Sequence, residues 1–336
     1  MAESIDVHSD STMQAIEDAA RDIEALLREL QKIVVGQRST LRGIITCMLA
    51  GGHALLEGVP GLGKTLMIRS LAQAVELKFA RVQFTPDLMP ADILGTSILT
   101  HDGDGVRGLR FEPGPIFANV LLADEINRAT PKTQSALLEA MEEKQVTTNG
   151  ATRPLPDPFF VLATQNPLEQ EGTYPLPEAQ LDRFFFKLQV AFPSESELVE
   201  ILDRTTGSQP EPTISSLDGS RLHEIQRLCR SLPAPPSLHR YVARLVRATH
   251  PHAPDAPPMV KKFIRYGASP RGAQALVTAA KIQAAMGRRL FPSVEDVRDV
   301  LLTALTHRIA RNFEGEAEGV TPEAILEEVT SQIRPD

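Results

Sequence analysis

A glycine-rich loop at residues 58–65 constrains the fold of this chain more than any other feature. It reads Gly58-Val59-Pro60-Gly61-Leu62-Gly63-Lys64-Thr65, directly after a short apolar run and directly before a helical pattern. In the pattern G-x-x-x-x-G-K-T between a strand and a helix, backbone N–H groups and the helix N-terminus point at phosphate oxygens. Lys64 is then expected to neutralise the outer phosphates, and the Thr65 hydroxyl to ligate magnesium. The predicted nucleotide-binding residues of this loop are Gly58, Pro60, Gly61, Leu62, Gly63, Lys64, Thr65 and Leu66.

Short apolar runs alternate with helical patterns on both sides of this loop, which predicts a parallel sheet covered by helices on both faces. The predicted strands are 53–57, 79–84, 119–123, 159–164 and 184–190. An amphipathic helix is expected over 13–34, and a second helix from Ser39 to a stop at Gly51-Gly52. After a polar, Pro-containing stretch the chain has helical patterns and capping signals at Ser293 and Thr321.

We therefore predict an α/β fold: a P-loop core, in which a parallel sheet forms an αβα sandwich, followed by a smaller all-helical lid domain. The predicted divisions are an N-terminal helix (1–34), the nucleotide-binding core (35–203), a linker (204–213) and the lid (214–336).

Composition narrows the class of protein further. A chain of 336 residues that is 42% hydrophobic and 23% charged can bury two cores. The net charge of −8 disfavours a dedicated nucleic-acid binder. No apolar run approaches the length that crosses a bilayer, and residues 1–10 lack a signal peptide pattern, so a cytoplasmic location without membrane insertion is expected. Cys47 and Cys229 lie in apolar helical patterns and predict buried thiols, and the histidines show no ligand spacing.

Polar residues follow two of the predicted strands. Asp124 and Glu125 end the apolar run that begins at Val120, and because strand side chains alternate, the two carboxylates can perform different tasks at one edge. We expect Asp124 to help hold the magnesium through water and Glu125 to polarise the water that attacks the γ-phosphate. Asn166 closes the next strand and is expected to orient that water or contact the γ-phosphate.

In these motifs and their order, the sequence resembles the MoxR family of AAA+ ATPases over most of residues 33–310. The stretches that carry the resemblance, besides the glycine-rich loop, are 35–37, 111–115, 124–129, 134–143, 163–167 and 178–184. Where the family usually has Ala-Pro-Pro after Asn-Arg, this chain has Ala129-Thr130-Pro131, which affects no catalytic role. The resemblance implies ATP and Mg²⁺ as ligands and ATP hydrolysis as the activity.

The resemblance also implies roles for residues outside the loop. Arg183 looks like the arginine finger that reaches the γ-phosphate of a neighbouring subunit, and Arg271 looks like the second sensor on the lid; a guanidinium suits either task because it is always charged. For Arg183 the alternative is a salt bridge to Asp182 or Glu178, and for Arg271 it is a structural contact. Val35 and Gln37 resemble the family's adenine-side box, against the alternative of a simple connecting turn. Arg128 lies either at a subunit interface or in solvent.

Two insertions match those of the AAA+ branch that includes MoxR and magnesium chelatase. In 85–116 a short helix is expected at 88–94, and 97–100 can pair with 108–111 across a turn at 101–105. Asn149-Gly150 between 145–148 and 151–153 is a strong hairpin signal. We expect these loops to face a pore or a partner.

The resemblance implies a homo-oligomer, with a hexameric ring expected, that acts as a chaperone-like remodeller or maturation factor. Cofactor or metal insertion is the expected kind of maturation, and a separate protein with a von Willebrand factor A domain is the expected partner. An ATP-dependent assembly switch with little steady turnover remains an alternative. A small-molecule P-loop kinase is disfavoured by Arg183, Arg271 and the helical domain, and a DNA-directed motor by the acidic balance.

Overall fold

The computed structural model describes residues 10–101, 107–166, 172–206 and 217–335. The first part of the chain forms the core and the helix that follows it. Its elements in chain order are α1 (Asp10–Gln31), α2 (Arg38–Ala50), β1 (Ala54–Glu57), α3 (Lys64–Ala74), β2 (Phe79–Gln83), α4 (Pro90–Leu94), β3 (Gly95–His101), β4 (Arg107–Pro113), β5 (Val120–Asp124), α5 (Pro131–Glu143), β6 (Gln145–Thr148), β7 (Ala151–Pro154), β8 (Phe160–Gln165), α6 (Glu178–Leu181), β9 (Phe186–Gln189) and α7 (Glu195–Thr206).

The second part of the chain forms the lid. Its elements are α8 (Gly219–Ser231), α9 (Pro236–Ala248), α10 (Pro258–Phe263), β10 (Ile264–Tyr266), α11 (Pro270–Met286), α12 (Val294–Leu305), β11 (Ala310–Arg311), α13 (Phe313–Ala317) and α14 (Pro322–Gln332).

The core sheet has five parallel strands in the order β2-β5-β8-β1-β9. Each of the five predicted strands is present, with ends shifted by one or two residues. Because all five strands run in one direction, their carboxyl ends meet at one edge of the sheet. We call this the carboxyl edge, and the opposite one the amino edge.

Alternate strand residues build two apolar layers, as the period of two requires. Leu56, Leu122 and Leu162 face α2 and α3, whereas Leu55, Leu121 and Val161 face α5. The first of these layers continues without a break into the lid helices, where Leu276, Leu301 and Leu326 belong to the same cluster. The shared apolar cluster therefore fixes the lid against the core.

Helix α11 is the centre of the lid and packs against α1, α2, α8, α9 and α12. Both predicted helix caps are confirmed: Ser293 and Asp296 form a capping box on α12, and Thr321 caps α14. Two details differ from the prediction. The otherwise helical lid contains a short antiparallel pairing of β10 with β11, and α7 runs through Thr206, so that the first three residues of the predicted linker are helical. Residues 207–213 of that linker lie outside the described residues.

Both predicted hairpins are present. Strands β3 and β4 pair antiparallel, with Ser97 opposite Phe111, and β6 pairs with β7. Asn149 and Gly150 adopt φ values of 50° and 76°, which suit the two-residue hairpin turn that the sequence predicted. Most of the turn predicted at 101–105 lies outside the described residues. Across the described ranges, no helix combines the length and the apolar character needed to cross a membrane.

Candidate active site

The glycine-rich loop connects the carboxyl end of β1 to the first residue of α3, as the sequence predicted. Gly61 and Gly63 have φ values of 85° and 75°, and a Cβ at either position would meet no atom within 4 Å. The loop is therefore an open cradle of backbone N–H groups that ends in a helix N-terminus, the geometry that binds phosphate. Thr65 follows on the first turn of α3 and is half-buried.

Lys64 is buried in this cradle, with 8% of its surface exposed, and its ammonium donates a 2.7 Å hydrogen bond to the Gly58 carbonyl. Burial lowers the pKa of Lys64, while the charges of Asp124 and Glu125 oppose that shift. The lysine therefore lies within electrostatic reach of both carboxylates, and the structure brings the two motifs together.

Asp124 is the last residue of β5, and both of its oxygens accept hydrogen bonds. The Thr164 hydroxyl donates to one at 2.6 Å and Arg81 to the other at 2.7 Å. The carboxylate oxygens of Asp124 are suitable ligands for a hard cation such as Mg²⁺, which prefers carboxylate and hydroxyl ligands.

Glu125 has a left-handed backbone, with φ of 56°, which is unusual for a residue with a side chain. Its N–H donates to the Thr164 hydroxyl at 2.8 Å, and its carboxylate accepts from Gln83 at 2.8 Å and Arg128 at 3.1 Å. The Thr164 hydroxyl thus ties Asp124 and Glu125 to β8. The sequence reasoning missed Thr164 and Gln83, and it left Arg128 open.

Asn166 follows β8 directly and is 4% exposed. Strand β8 lies between β5 and β1, so that Asn166 is placed between the carboxylates and the glycine-rich loop. The loop is joined to this point by a 3.4 Å hydrogen bond from the Gly58 N–H to the Gln165 carbonyl. The carboxyl edge therefore holds the four groups that are predicted to act on a nucleotide bound to their own chain: the glycine-rich loop, Asp124, Glu125 and Asn166.

The candidate adenine-side residues lie at the turn between α1 and α2. Gln37 is 8% exposed, donates to the Ala191 carbonyl at 2.9 Å, and accepts from the Thr40 hydroxyl at 3.0 Å. These contacts hold the turn against the segment that follows β9. Val35 is half-buried beside it, and Leu66 on α3 is 47% exposed.

Arg183 and Arg271 lie together, but at the amino edge. The Phe185 N–H donates to the His53 carbonyl at 2.7 Å, which places Arg183 near the start of β1, whereas the glycine-rich loop follows its end. Four residues of strand, at about 3.3 Å each, separate these levels by about 13 Å. Arg271 reaches the same place from the first turn of α11.

Both arginines make ion pairs within their own chain, which is the kind of contact that the alternative for each of them describes, but the partner of Arg183 differs from the two named there. Arg183 pairs with Glu142 at 3.1 Å, and not with Asp182 or Glu178. Arg271 pairs with Glu142 as well, and approaches Asp182 at 3.6 Å. No sequence pattern indicates this role for Glu142, because the pairing joins residues that lie far apart along the chain.

The fold and the carboxyl edge define a P-loop ATPase core with a helical lid. Residues 53–186 match the model of the ATPase family associated with various cellular activities (AAA), and residues 258–329 match that of the AAA lid domain.

Similar proteins narrow the class. The chain is 43% identical over 314 residues to the Bacillus subtilis protein YeaC, covering 92% of this chain and 93% of the relative. It is 41% identical over 311 residues to the Mycobacterium tuberculosis protein named Chaperone MoxR1, covering 93% and 81%. A proposed ATPase from Cytophaga hutchinsonii has a crystal structure that superposes with a TM-score of 0.90 at 39% identity, covering 97% of this chain and 98% of the other. The chain belongs to the MoxR family of AAA+ ATPases.

Proposed function

We propose that this protein hydrolyses Mg-ATP as a ring-shaped homo-oligomer and uses the cycle to remodel a partner protein. One observation carries the proposal: the glycine-rich loop lies at one edge of the sheet, and the two arginines that we propose to bind phosphate lie at the opposite edge. The glycine-rich loop lies at the carboxyl edge, while Arg183 and Arg271 lie at the amino edge about 13 Å away along β1. A complete site then needs the carboxyl edge of one copy and the amino edge of the next.

The position of each residue supports the role that we propose for it at the carboxyl edge. The backbone of residues 58–66 and the Lys64 ammonium hold the phosphates. Thr65 and Asp124 would hold a Mg²⁺ ion, and such an ion would supply positive charge at the phosphate oxygens. Glu125 polarises the attacking water and Asn166 orients it. Val35 and Gln37 are the proposed adenine-side residues. We propose that Val35 contacts the adenine and that Gln37 stabilises the turn between α1 and α2.

The proposed roles at the amino edge act on the neighbouring copy. Arg183 is the finger and Arg271 the second sensor, and both guanidinium groups grip phosphate oxygens that belong to the next subunit. The same surface contact repeats from copy to copy, and such a head-to-tail contact closes into a ring when the rotation permits. We propose a hexamer.

The proposed substrate is a protein. A relative that is 41% identical carries the name chaperone, and the net charge of −8 does not favour nucleic acid. We propose cofactor or metal insertion as the maturation step, a separate protein with a von Willebrand factor A domain as the partner, and the cytoplasm as the location. The hairpins β3–β4 and β6–β7 are the proposed contact loops.

The test is the steady-state ATPase rate per chain against protein concentration, with the size of the assembly measured alongside. We expect the rate to rise with assembly in the wild type and to collapse in Arg183→Ala while the ring still forms. Arg21→Ala, which removes an exposed arginine on α1 that pairs with Asp18, is the matched control. A rate that is independent of concentration and survives Arg183→Ala would overturn the shared site.

The assembly switch remains a second candidate because the Glu125 carboxylate is engaged by Gln83 and Arg128, a contact that suits slow turnover. Glu125→Gln separates the two functions. If turnover matters, the variant binds ATP and loses partner remodelling; a switch that needs only the bound nucleotide keeps working.

A further inference from the structure

We propose that Glu142 is a positioning residue, which holds Arg183 and Arg271 together as one phosphate-gripping pair across the junction of core and lid. The inference rests on the proposed function, because it assigns a role to Glu142 only if the two arginines act on a neighbouring nucleotide. It adds a carboxylate that contacts no part of its own chain's phosphate loop.

Glu142 bridges the two arginines through its two carboxylate oxygens. One carboxylate oxygen of Glu142 pairs with Arg183 at 3.1 Å, and the other pairs with Arg271. Arg183 belongs to the core and Arg271 to the lid, so that a single side chain connects the two domains at their charged groups. Two guanidinium groups repel each other when they are close, and a carboxylate between them replaces that repulsion with two charge-assisted hydrogen bonds.

Glu142 is itself held in place. It lies in the last turn of α5, and the preceding Met141 carbonyl is 3.1 Å from the imidazole Nε2 of the buried His53. The other ring nitrogen of His53 accepts from the Val161 N–H at 3.0 Å. The end of α5 is therefore fixed to β1 and β8 at the amino edge, which gives the bridging carboxylate a rigid support.

A second carboxylate fixes the backbone on which both arginines stand. Asp182, beside Arg183, accepts from the Ser269 hydroxyl at 2.8 and 2.9 Å and from Arg308 at 3.0 Å. Ser269 is two residues before Arg271. Asp182 thus holds the two chain segments together and also lies 3.6 Å from the Arg271 guanidinium, whereas Glu142 pairs with both guanidinium groups.

The exposure of the bridge argues for orientation over stability. Glu142 and Arg271 have 36% and 45% of their side chains exposed, and ion pairs so exposed contribute little to folding. Orientation at an active site has a larger effect, because a misplacement of about 1 Å can cost about a hundredfold in rate. Removal of the Glu142 charge should therefore change turnover far more than stability.

The first measurement compares Glu142→Gln with Glu143→Gln, a matched control on the next, exposed residue. We expect kcat for ATP to fall about 10- to 100-fold in Glu142→Gln, with KM changed less than about twofold and the melting temperature unchanged. Glu142→Asp keeps the charge and should recover part of the loss. An unchanged kcat in Glu142→Gln would overturn the proposal.

Mixed rings show whether the effect acts on the neighbour. A Lys64→Ala chain should bind ATP weakly but still offers its arginines to a neighbour, so we expect wild-type chains mixed with it to remain active. Adding Glu142→Gln to the Lys64→Ala chain should lower the activity of the mixture, and adding Glu143→Gln should not. If the double variant behaves as Lys64→Ala alone, Glu142 does not act through the arginines.

Adding Arg183→Ala to the Lys64→Ala chain distinguishes a wrong role for Glu142 from a wrong shared active site. If Arg183→Ala lowers the activity of the mixture but Glu142→Gln does not, only the role of Glu142 is wrong. If neither does, the shared active site is wrong and the role of Glu142 falls with it.

Discussion

Acid should destabilise the core through one buried histidine. His53 is 5% exposed, its Nδ1 accepts from the Val161 N–H at 3.0 Å, and its Nε2 lies 3.1 Å from the Met141 carbonyl. This arrangement satisfies the neutral ring with its proton on Nε2, and a second proton on Nδ1 would face the Val161 N–H. The pKa of His53 is lowered from 6.5 to about 4, chiefly by burial; the Met141 carbonyl opposes this shift and the charge of Lys144 adds to it.

The sign of the effect follows from the pKa in the two states. The folded pKa lies below the unfolded one, so that the contribution is fully present above 6.5 and is lost as the pH falls toward 4. A difference of about 2.5 pKa units corresponds to a loss of about 2 kcal/mol in the free energy of unfolding between about pH 7.5 and about pH 5. Burial also lowers the pKa of His307, which adds to the loss with the same sign.

The assay is urea unfolding at both pH values for the wild type, His53→Gln and the exposed control His239→Gln. Glutamine offers one donor and one acceptor but does not titrate. We expect His53→Gln to be less stable than the wild type at neutral pH, and to lose about 2 kcal/mol less on acidification. Equal pH dependence in the wild type and His53→Gln, or an NMR titration of His53 near its ordinary pKa, would refute the reasoning.

Three further predictions concern the phosphate site and the junction of core and lid. Lys64→Ala should weaken ATP binding at least about tenfold in a fluorescent-nucleotide titration, and unchanged affinity would contradict its role at the phosphates. Glu125→Gln should bind ATP normally while the hydrolysis rate falls at least about a hundredfold; a smaller fall would move the base elsewhere. Arg308→Met leaves the Asp182 carboxylate without its buried partner, whose side chain is 3% exposed, and should cost about 3 kcal/mol in thermal unfolding. A cost below about 1 kcal/mol would show that Asp182 is solvated in the variant.

The sequence predicted the parts of this fold that depend on local pattern. The five strands are predictable because most of them are short apolar runs between turn residues, and the position of the glycine-rich loop is predictable because its residue spacing is specific. The order of the strands could not be predicted, because no local sequence signal indicates that β5 lies between β2 and β8. The contact of Gln83 with Glu125 depends on that order, so the sequence could not supply it.

The same distinction explains the amino edge. The resemblance predicts roles for Arg183 and Arg271, but it indicates no role for their common partner Glu142, because that pairing depends on how α5 ends against β1. The β10–β11 pairing was missed for another reason: with three and two residues, its strands are too short to show a period of two. Long-range contacts and very short strands are therefore the features that needed coordinates.

The proposed division of the active site between two edges couples movement of the lid to hydrolysis. Arg271 stands on the lid, and Arg308 and the shared apolar cluster hold that lid to the core. In the proposed ring, a shift of one lid therefore moves a charge at the neighbour's phosphate. Because Glu142 pairs with both Arg271 and Arg183, a movement of the lid that shifts Arg271 also shifts Arg183. The two arginines should then respond as one unit, which makes each subunit's rate depend on the lid position of the next.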